Sequence, residues 1–170
     1  DPKNYLNPYT AGGIEALSKV STLEALSLAG PGVTDATLSH VAKLTNLQKL
    51  TLFGCPIGNE GLAKLASLKS LETLELINYI GSKAPQLTMS GLNPLNGLSN
   101  LTRIQVNDLG RDDVALNLSG LTRLEYLMLS CAKGVTIRDE DLAGLAGLKQ
   151  LKWLQVGGGS SITDKGMSYL

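Results

Sequence analysis

The sequence is poor in aromatic residues, cysteine and histidine. Its 170 residues include one Phe, one Trp, five Tyr, two Cys and one His. Two cysteines cannot build the dense disulfide framework of a small secreted scaffold, and together with one histidine they do not supply the usual four ligands of a zinc site. The single imidazole, His40, also argues against nucleophilic catalysis by a Ser-His-Asp or Cys-His arrangement. We therefore expect no catalytic residues, no metal and no cofactor.

The sequence also lacks an excess of charge and a long apolar run. Fifteen Lys and Arg residues balance fifteen Asp and Glu residues, so no large uniform field exists to attract nucleic acid or an anionic membrane. No segment approaches the roughly 18 consecutive apolar residues of a membrane-spanning helix. We expect neither nucleic-acid binding nor membrane insertion, and the cellular compartment stays open.

A repeat dominates what is present. The pattern L-x-x-L-x-L occurs six times, in units that begin at residues 23, 47, 71, 101, 124 and 151. A regular period of about 20 to 30 residues is typical of a solenoid, and alternation within L-x-L predicts a short strand with one buried face. The residues of the six patterns are Leu23, Leu26 and Leu28; Leu47, Leu50 and Leu52; Leu71, Leu74 and Leu76; Leu101, Ile104 and Val106; Leu124, Leu127 and Leu129; and Leu151, Leu154 and Val156.

A second apolar series, spaced by three, lies between the strand patterns. This spacing predicts a short α-helix or 3₁₀ segment in each unit, packed against the same core as the strand. One unit cannot bury its leucines alone, so we expect stacked units with a parallel sheet on one side and helices on the other. The series consists of Leu38, Val41 and Leu44; Leu62, Leu65 and Leu68; Leu92, Leu95 and Leu98; Ala115, Leu118 and Leu121; and Leu142, Leu145 and Leu148.

These repeats resemble the leucine-rich-repeat family from about Gly13 to Leu170. The resemblance implies an α/β fold, namely a right-handed solenoid with a parallel concave sheet and short helices on the convex side. Three segments resemble the I-T-D-x-G-L motif of one subclass, which occurs in many bacterial repeat proteins and in substrate receptors of some ubiquitin ligases. They are residues 33–38, 57–62 and 162–167, where Thr, Asp or Asn is expected to cap a helix. The family's usual Asn or Cys ladder survives only at Cys55.

We expect residues 1–170 to form a single leucine-rich-repeat domain. Residues 1–22 would be an N-terminal partial repeat or cap, and the sixth unit is incomplete. Cys55 and Cys131 lie three coils apart, which at about 4.8 Å per strand step gives roughly 14 Å. A disulfide requires Cα atoms within about 7 Å, so both cysteines are expected to be free thiols.

The residues between the strand leucines should form three rows on the concave face, because side chains alternate along a strand. The only Phe, the only Trp and one Tyr fall in these rows, and Arg103, Tyr126 and Trp153 are neighbours in the first row. Tyr, Trp and Arg dominate binding energy at interfaces, although such residues can also simply shield a sheet. The rows are Ala25, Lys49, Thr73, Arg103, Tyr126 and Trp153; Ser27, Thr51, Glu75, Gln105, Met128 and Gln155; and Ala29, Phe53, Ile77, Asn107, Ser130 and Gly157.

A six-residue excess in the third unit falls within residues 78–88, directly after a strand. An inserted loop there would overhang one rim of the concave face, so Tyr79 and Lys83 are additional candidates for recognition. The complete set of candidate binding residues is Phe53, Ile77, Tyr79, Arg103, Tyr126, Met128 and Trp153.

Three other features have structural explanations. His40 is expected to point outward from a helix. The acidic groups at residues 108–113 and 139–141 lack the D-x-D-x-D-G spacing of a calcium loop, and helix capping explains them. Gly157, Gly158 and Gly159 lack the spacing of a phosphate-binding loop, which favours a widened turn.

The sequence favours a recognition module that binds a protein partner through its concave face. One alternative is the substrate-recognition part of a larger ubiquitin-ligase or effector enzyme. Another is a carbohydrate-binding repeat protein, in which Trp153 and Tyr126 would stack on a sugar. We expect no enzyme activity in these residues.

Overall fold

The structure is a computed structural model that describes residues 11–78 and 87–170. The candidates Tyr79 and Lys83 lie outside the described residues. The strands are β1 (Ala25–Ala29), β2 (Lys49–Phe53), β3 (Thr73–Ile77), β4 (Arg103–Leu109), β5 (Tyr126–Cys131), β6 (Thr136–Arg138), β7 (Trp153–Gly157) and β8 (Gly159–Ser161). The α-helices are α1 (Ala11–Leu17), α2 (Asp35–Val41), α3 (Asn59–Lys64), α4 (Asp139–Ala143) and α5 (Asp164–Met167), with 3₁₀ helices at Leu65–Ser67 and Ser90–Gly97.

Six strands form one parallel sheet in the order β1-β2-β3-β4-β5-β7. The register follows the repeat, because the central apolar residue of each strand pairs with that of the next. The sequence prediction of six stacked parallel strands is therefore confirmed. The paired central residues are Leu26, Leu50, Leu74, Ile104, Leu127 and Leu154.

The strand leucines and the helical leucines bury one continuous core. Leu50, Leu74, Ile104 and Leu127 are completely buried, as are most residues of the second apolar series. Strand residues at the two ends of the sheet, such as Leu26 and Leu154, are only partly buried. Burial at about 25 cal/mol per Å² of apolar surface is the main force that holds the coils together, because no coil encloses its own leucines.

One of the predicted helices is wrong. Within residues 113–121 the structure contains no helix, and Ala115, which was assigned to the buried series, is exposed. Leu116 is buried instead, together with Leu118. These two leucines lie two positions apart, the period of an extended chain, so both can face the core only if the segment does not coil into a helix. This segment belongs to the unit that begins at residue 101, which is the fifth coil when the partial N-terminal repeat is counted as the first. The fifth coil therefore interrupts the wall of helices.

The third predicted row is broken at Asn107. The register between β4 and β5 shifts between Val106 and Leu109, where Asp108 has φ 63 and Leu109 pairs with Cys131. A bulge of this kind places two residues of one strand opposite one residue of its partner, so Asn107 does not pair with Ser130 as the third row requires.

A second, two-stranded parallel sheet consists of β6 and β8. Gly159 belongs to β8 and pairs with Thr136, so the glycine segment is not simply a widened turn. Gly158 connects β7 to β8 with φ 109, a conformation that only glycine adopts without strain.

Acidic or amide side chains connect successive coils at the starts of their helices. Asp35 Oδ1 accepts a hydrogen bond of 2.8 Å from the backbone N–H of Gly58 in the next coil. Asn59 Oδ1 accepts one of 2.9 Å from Thr88, and Asp139 Oδ1 one of 2.8 Å from Thr163. We call these three contacts the coil clamps. The capping expectation is thus only partly correct, because these side chains accept hydrogen bonds from backbone N–H groups of the adjacent coil rather than of their own helix.

The glycine of each motif makes room for the clamp. A Cβ atom on Gly61 would lie 2.2 Å from Asp35 Oδ1, and one on Gly166 would lie 2.3 Å from Asp139 Oδ1. The second coil and the sixth, which follow coils without such a clamp, carry Thr37 and Asp141 at the equivalent position. These two side chains are buried and polar. The glycine is therefore required by the neighbouring coil and not by its own backbone.

Candidate functional site: the concave face

The first two predicted rows line the outward side of the sheet. Register pairing places Lys49, Thr73, Arg103, Tyr126 and Trp153 side by side on successive strands. The second row, from Thr51 to Gln155, runs parallel to it. We call the outward side of the six-stranded sheet, which carries these rows, the concave face.

Arg103, Tyr126 and Trp153 form a stacked ladder. The Tyr126 and Trp153 rings lie 4.1 Å apart between centroids with an interplanar angle of 5°. The guanidinium carbon of Arg103 lies 3.6 Å from the centroid of the Tyr126 ring. Because Arg103 and Trp153 approach from strands on opposite sides of β5, both faces of Tyr126 are covered. Offset aromatic stacking contributes about 0.5–1.5 kcal/mol beyond area burial, and the cation adds a comparable amount.

Strand parity fixes the position of the ladder. Ile104, Leu127 and Leu154 follow the three ladder residues directly and face the core. Because successive side chains in a strand point to opposite sides, the ladder residues must face outward. Trp153 is 40% exposed, although it is the largest apolar side chain in the protein. The opposite side of the sheet packs on the core, so a large ring exposed on this side is unusual and marks a candidate surface for contact with another molecule.

Glu75 holds Arg103 in place and was missed by the sequence interpretation. Its Oε1 accepts a hydrogen bond of 3.1 Å from Arg103 Nε, and its Oε2 accepts one of 3.0 Å from the hydroxyl of Thr51. The Glu75 side chain is only 16% exposed. An available signal was the opposite charge of Glu75 and Arg103 on neighbouring strands of adjacent rows, which favours a diagonal ion pair.

Arg103 is also held by Gln105. Nη2 of Arg103 donates a hydrogen bond of 3.2 Å to Oε1 of Gln105. Within the described residues no hydrogen-bond partner is found for Arg103 Nη1, for the Tyr126 hydroxyl or for Trp153 Nε1. The fixed ladder thus presents hydrogen-bond donors at its surface.

The remaining candidates lie elsewhere on the same face. Phe53 and Ile77 pair directly at the ends of β2 and β3, and Phe53 is 37% exposed. Met128 is half-buried between Gln105 and Gln155 in the second row. The structure therefore brings Arg103, Tyr126 and Trp153 into direct contact and places Phe53 and Ile77 as a separate apolar pair.

Each acidic group contains a residue that accepts hydrogen bonds from side chains, Asp112 in the first and Asp139 in the second. Burial acts to raise the pKa of Asp112, but hydrogen bonds from the hydroxyls of Ser90 and Thr88 and from backbone amides hold it below its ordinary value. The side-chain and backbone hydrogen bonds from Thr163 lower the pKa of Asp139. The part of the chain that the structure describes contains no group of three or more His, Cys, Asp and Glu side chains arranged to hold a metal ion.

His40 was expected to point outward from its helix, but it is not fully exposed. The side chain is only partly exposed, and its Nδ1 atom is buried without a hydrogen-bond partner in the described ranges. Cys55 and Cys131 are buried free thiols, and burial raises the pKa of each to about 11. Across residues 11–78 and 87–170, no helix is long and apolar enough to cross a membrane.

These features define a class of protein: a leucine-rich-repeat solenoid with an exposed parallel sheet. The family model described as Leucine Rich repeat matches residues 43–66. An internalin (inlF) from Listeria monocytogenes is similar in structure, with a TM-score of 0.63 and 22% identity over 92% of this chain and 48% of that chain. Internalin C2 (inlC2) from the same species has a TM-score of 0.54 and 25% identity, over 89% of this chain and 67% of that chain.

The family model matches one repeat, and the similar solved structures share the leucine-rich-repeat fold, while the I-T-D-x-G-L subclass stays a proposal. The chain spans about half the length of the internalin (inlF) chain. A comparison with curated protein sequences gave no match.

Proposed function

We propose that the chain is a non-enzymatic recognition module that binds a protein partner through its concave face, with Arg103, Tyr126 and Trp153 as the principal contacts. Leucine-rich repeats generally act as protein-interaction modules, which supports the class of function. The ladder supports the concave face as the binding site, because it fixes an Arg, a Tyr and a Trp at the exposed surface of a rigid sheet. These three residue types are the ones most enriched among energetic hot spots.

Preorganisation is what makes the ladder suitable for binding. Arg103 loses much of its side-chain freedom to Glu75, Gln105 and Tyr126 before any partner arrives. Ordering a long side chain at an interface otherwise costs about 0.5–1.5 kcal/mol. A partner that contacts the ladder therefore gains contact area with little further loss of entropy.

A carbohydrate ligand is less well supported than a protein partner. A sugar ring stacks on an open aromatic face, but both faces of Tyr126 are covered by Arg103 and Trp153, which leaves only the outer face of Trp153, on the edge strand β7, for such stacking. The alternative of a substrate-recognition part of a larger ubiquitin-ligase or effector enzyme is a proposal about the whole protein. It uses the same concave face and the same residues.

The test is a titration of a purified partner against matched variants. Trp153→Ala and Tyr126→Ala should each weaken binding by about 2 kcal/mol, roughly 30-fold. Val114→Ala is the control, because Val114 is 60% exposed and lies outside the sheet. If the partner binds both ring variants as tightly as the wild type, the ladder only shields the sheet and the proposal fails.

A further inference from the structure

We infer that the partner lays one amphipathic helix diagonally across the concave face, with apolar residues near both ends and a carboxylate at its centre. This inference rests on the proposed function, because it names the occupant of the same face. The arrangement of apolar and polar groups on the sheet carries it.

Apolar side chains occupy two opposite corners of the concave face. Phe53 and Ile77 pair at the carboxyl ends of β2 and β3. Tyr126 and Trp153 pair at the amino ends of β5 and β7. Between the corners lie Glu75, Arg103 and Gln105, joined by hydrogen bonds. A ligand that contacts both corners must therefore cross the sheet along one diagonal and pass over a polar centre.

The length of this diagonal follows from the register. Phe53 and Trp153 are separated by four strand steps of about 4.8 Å and, along the strands, by four residues of about 3.3 Å, which gives about 23 Å. Gln105 lies at the midpoint of the diagonal. A helix covers about 23 Å in about 15 residues, at 1.5 Å per residue. Positions i, i+4, i+7, i+11 and i+15 then share one face of the helix, with i+7 over the centre.

Backbone hydrogen bonding favours a helix over an extended segment. Strands β2, β3, β4 and β5 are each paired on both sides, so the middle of the sheet offers no free backbone groups. An extended segment on this surface would leave its own N–H and C=O groups without partners as water is excluded. A helix satisfies these groups internally and can pack with side chains alone.

The polar centre of the concave face requires the partner to supply a hydrogen-bond acceptor. Both carboxylate oxygens of Glu75 are engaged, by Arg103 and by Thr51. Arg103 Nη1 and Gln105 Nε2 have no hydrogen-bond partner within the described ranges, and Lys49 is exposed in the same row as Arg103. The concave rows thus carry two cations against one carboxylate that is already paired. An Asp or Glu at position i+7 of the helix would complement them with a charge-assisted hydrogen bond.

Photo-crosslinking measures the path of the partner. Benzoylphenylalanine replaces Phe53 in one variant and Gln155 in another; Gln155 is exposed, lies two residues from Trp153 and is not one of the proposed contacts. The two positions are about 20 Å apart. The adducts should fall in one segment of the partner, about 13 or 14 residues apart. A separation of about six residues indicates an extended segment, and adducts in unrelated segments indicate a folded epitope.

The outcomes separate this inference from the proposed function. Adducts at a separation of six residues, or in unrelated segments, overturn the helix while leaving concave-face binding intact. Absence of adducts from both positions overturns both.

A synthetic peptide of the crosslinked segment tests the central carboxylate. Replacing that Asp or Glu by its amide should weaken binding to the wild type about tenfold, and Arg103→Lys should weaken the unmodified peptide by a similar factor. The two changes together should cost no more than either alone, because they remove one interaction. Additive losses would show that the carboxylate does not meet Arg103 and would overturn this part of the inference.

Discussion

The guanidinium carbon of Arg103 lies 3.6 Å from the centre of the Tyr126 ring, and the same guanidinium is held at its edge by Glu75. The face of the cation is thus used for stacking while its edge is used for an ion pair. This combination requires a planar cation, which lysine cannot provide.

Removing Glu75 should release Arg103 from the ring. In Glu75→Ala the Arg103 side chain loses the acceptor of its Nε proton, so the ring-current shifts of its side-chain protons should move toward their values in an unfolded peptide. NMR of the Arg103 side chain measures this. Glu72→Ala is the control, because Glu72 is exposed and its side chain forms no ion pair with Arg103. Unchanged shifts in Glu75→Ala would mean that stacking alone holds the guanidinium.

Neighbouring residues of one strand should separate stability from binding. Leu127→Ala removes a fully buried side chain and should lower the free energy of unfolding by about 2–5 kcal/mol. Trp153→Ala should cost clearly less stability, since the ring is 40% exposed, yet it should weaken partner binding more. Thermal melts and a binding titration measure the two effects. A loss of stability in Trp153→Ala as large as in Leu127→Ala would show that the ring belongs to the core.

Gly61→Ala should destabilise the fold through the preceding coil. The new Cβ would lie 2.2 Å from Asp35 Oδ1, so the carboxylate must leave its hydrogen bond with Gly58. We expect a loss of about 1–3 kcal/mol, and Asp35→Ala should lose a similar amount.

The double variant shows whether the two residues are coupled. Asp35→Ala with Gly61→Ala should lose less than the sum, because the first change removes the clashing atom. Gly97→Ala is the control, since its nearest neighbour would be Lys69 Nζ at an ordinary 3.5 Å. Denaturant unfolding compares the variants, and strict additivity would argue against the clamp.

Asp112 should make the fold more sensitive to acid. Although burial alone would raise its pKa, the hydrogen bonds from Ser90 and Thr88 lower it in the folded state. A lowered pKa contributes stability that is complete above the ordinary pKa of about 4 and is lost as the pH falls through the folded value. In Asp112→Asn this acid-dependent part of the melting temperature should disappear. An identical decline in wild type and variant below about pH 4 would contradict the assignment.

Both thiols should be protected in the folded protein. Burial raises the pKa of Cys55 and of Cys131 to about 11, so very little reactive thiolate exists at pH 8. Alkylation should be slow in native buffer and should modify both cysteines in denaturant without reductant. Rapid native alkylation of Cys55 would indicate that its coil opens, whereas incomplete modification in denaturant would reveal a disulfide.

The sheet could be predicted from sequence because its signal is local and repeated. Each L-x-x-L-x-L segment fixes which side chains face the core, and the spacing of the units fixes the register. The fifth coil could not be predicted in this way, since Ala115, Leu118 and Leu121 fit a helical spacing while Leu116 and Leu118 fit an extended one. Packing against the neighbouring coils decides between the two.

Contacts between coils could not be predicted from the sequence either. The close approach of Asp35 to Gly61 involves residues of different units, and neither residue type alone indicates that the two are in contact. The sequence pattern singles out the aromatic residues and not Glu75, because the role of Glu75 depends on how far the Arg103 side chain reaches. The rows that depend on strand parity were correct, and the one that crosses the bulge at Asp108 was not.

The missing helix of the fifth coil divides the convex wall into two stacks. One stack runs from α1 to the 3₁₀ helix at Ser90–Gly97, and the other comprises α4 and α5. The coil clamps follow the same division, with Asp35 and Asn59 in the first stack and Asp139 in the second. The sheet passes from β4 to β5 with a register shift, and the buried Leu116 and Leu118 continue the core through the fifth coil. In a linear array, each unit is stabilised by its neighbours. The fifth coil is joined to its neighbours by strand pairing, by the buried Leu116 and Leu118 and by the Arg111–Asp141 ion pair, and helix packing takes no part in that junction.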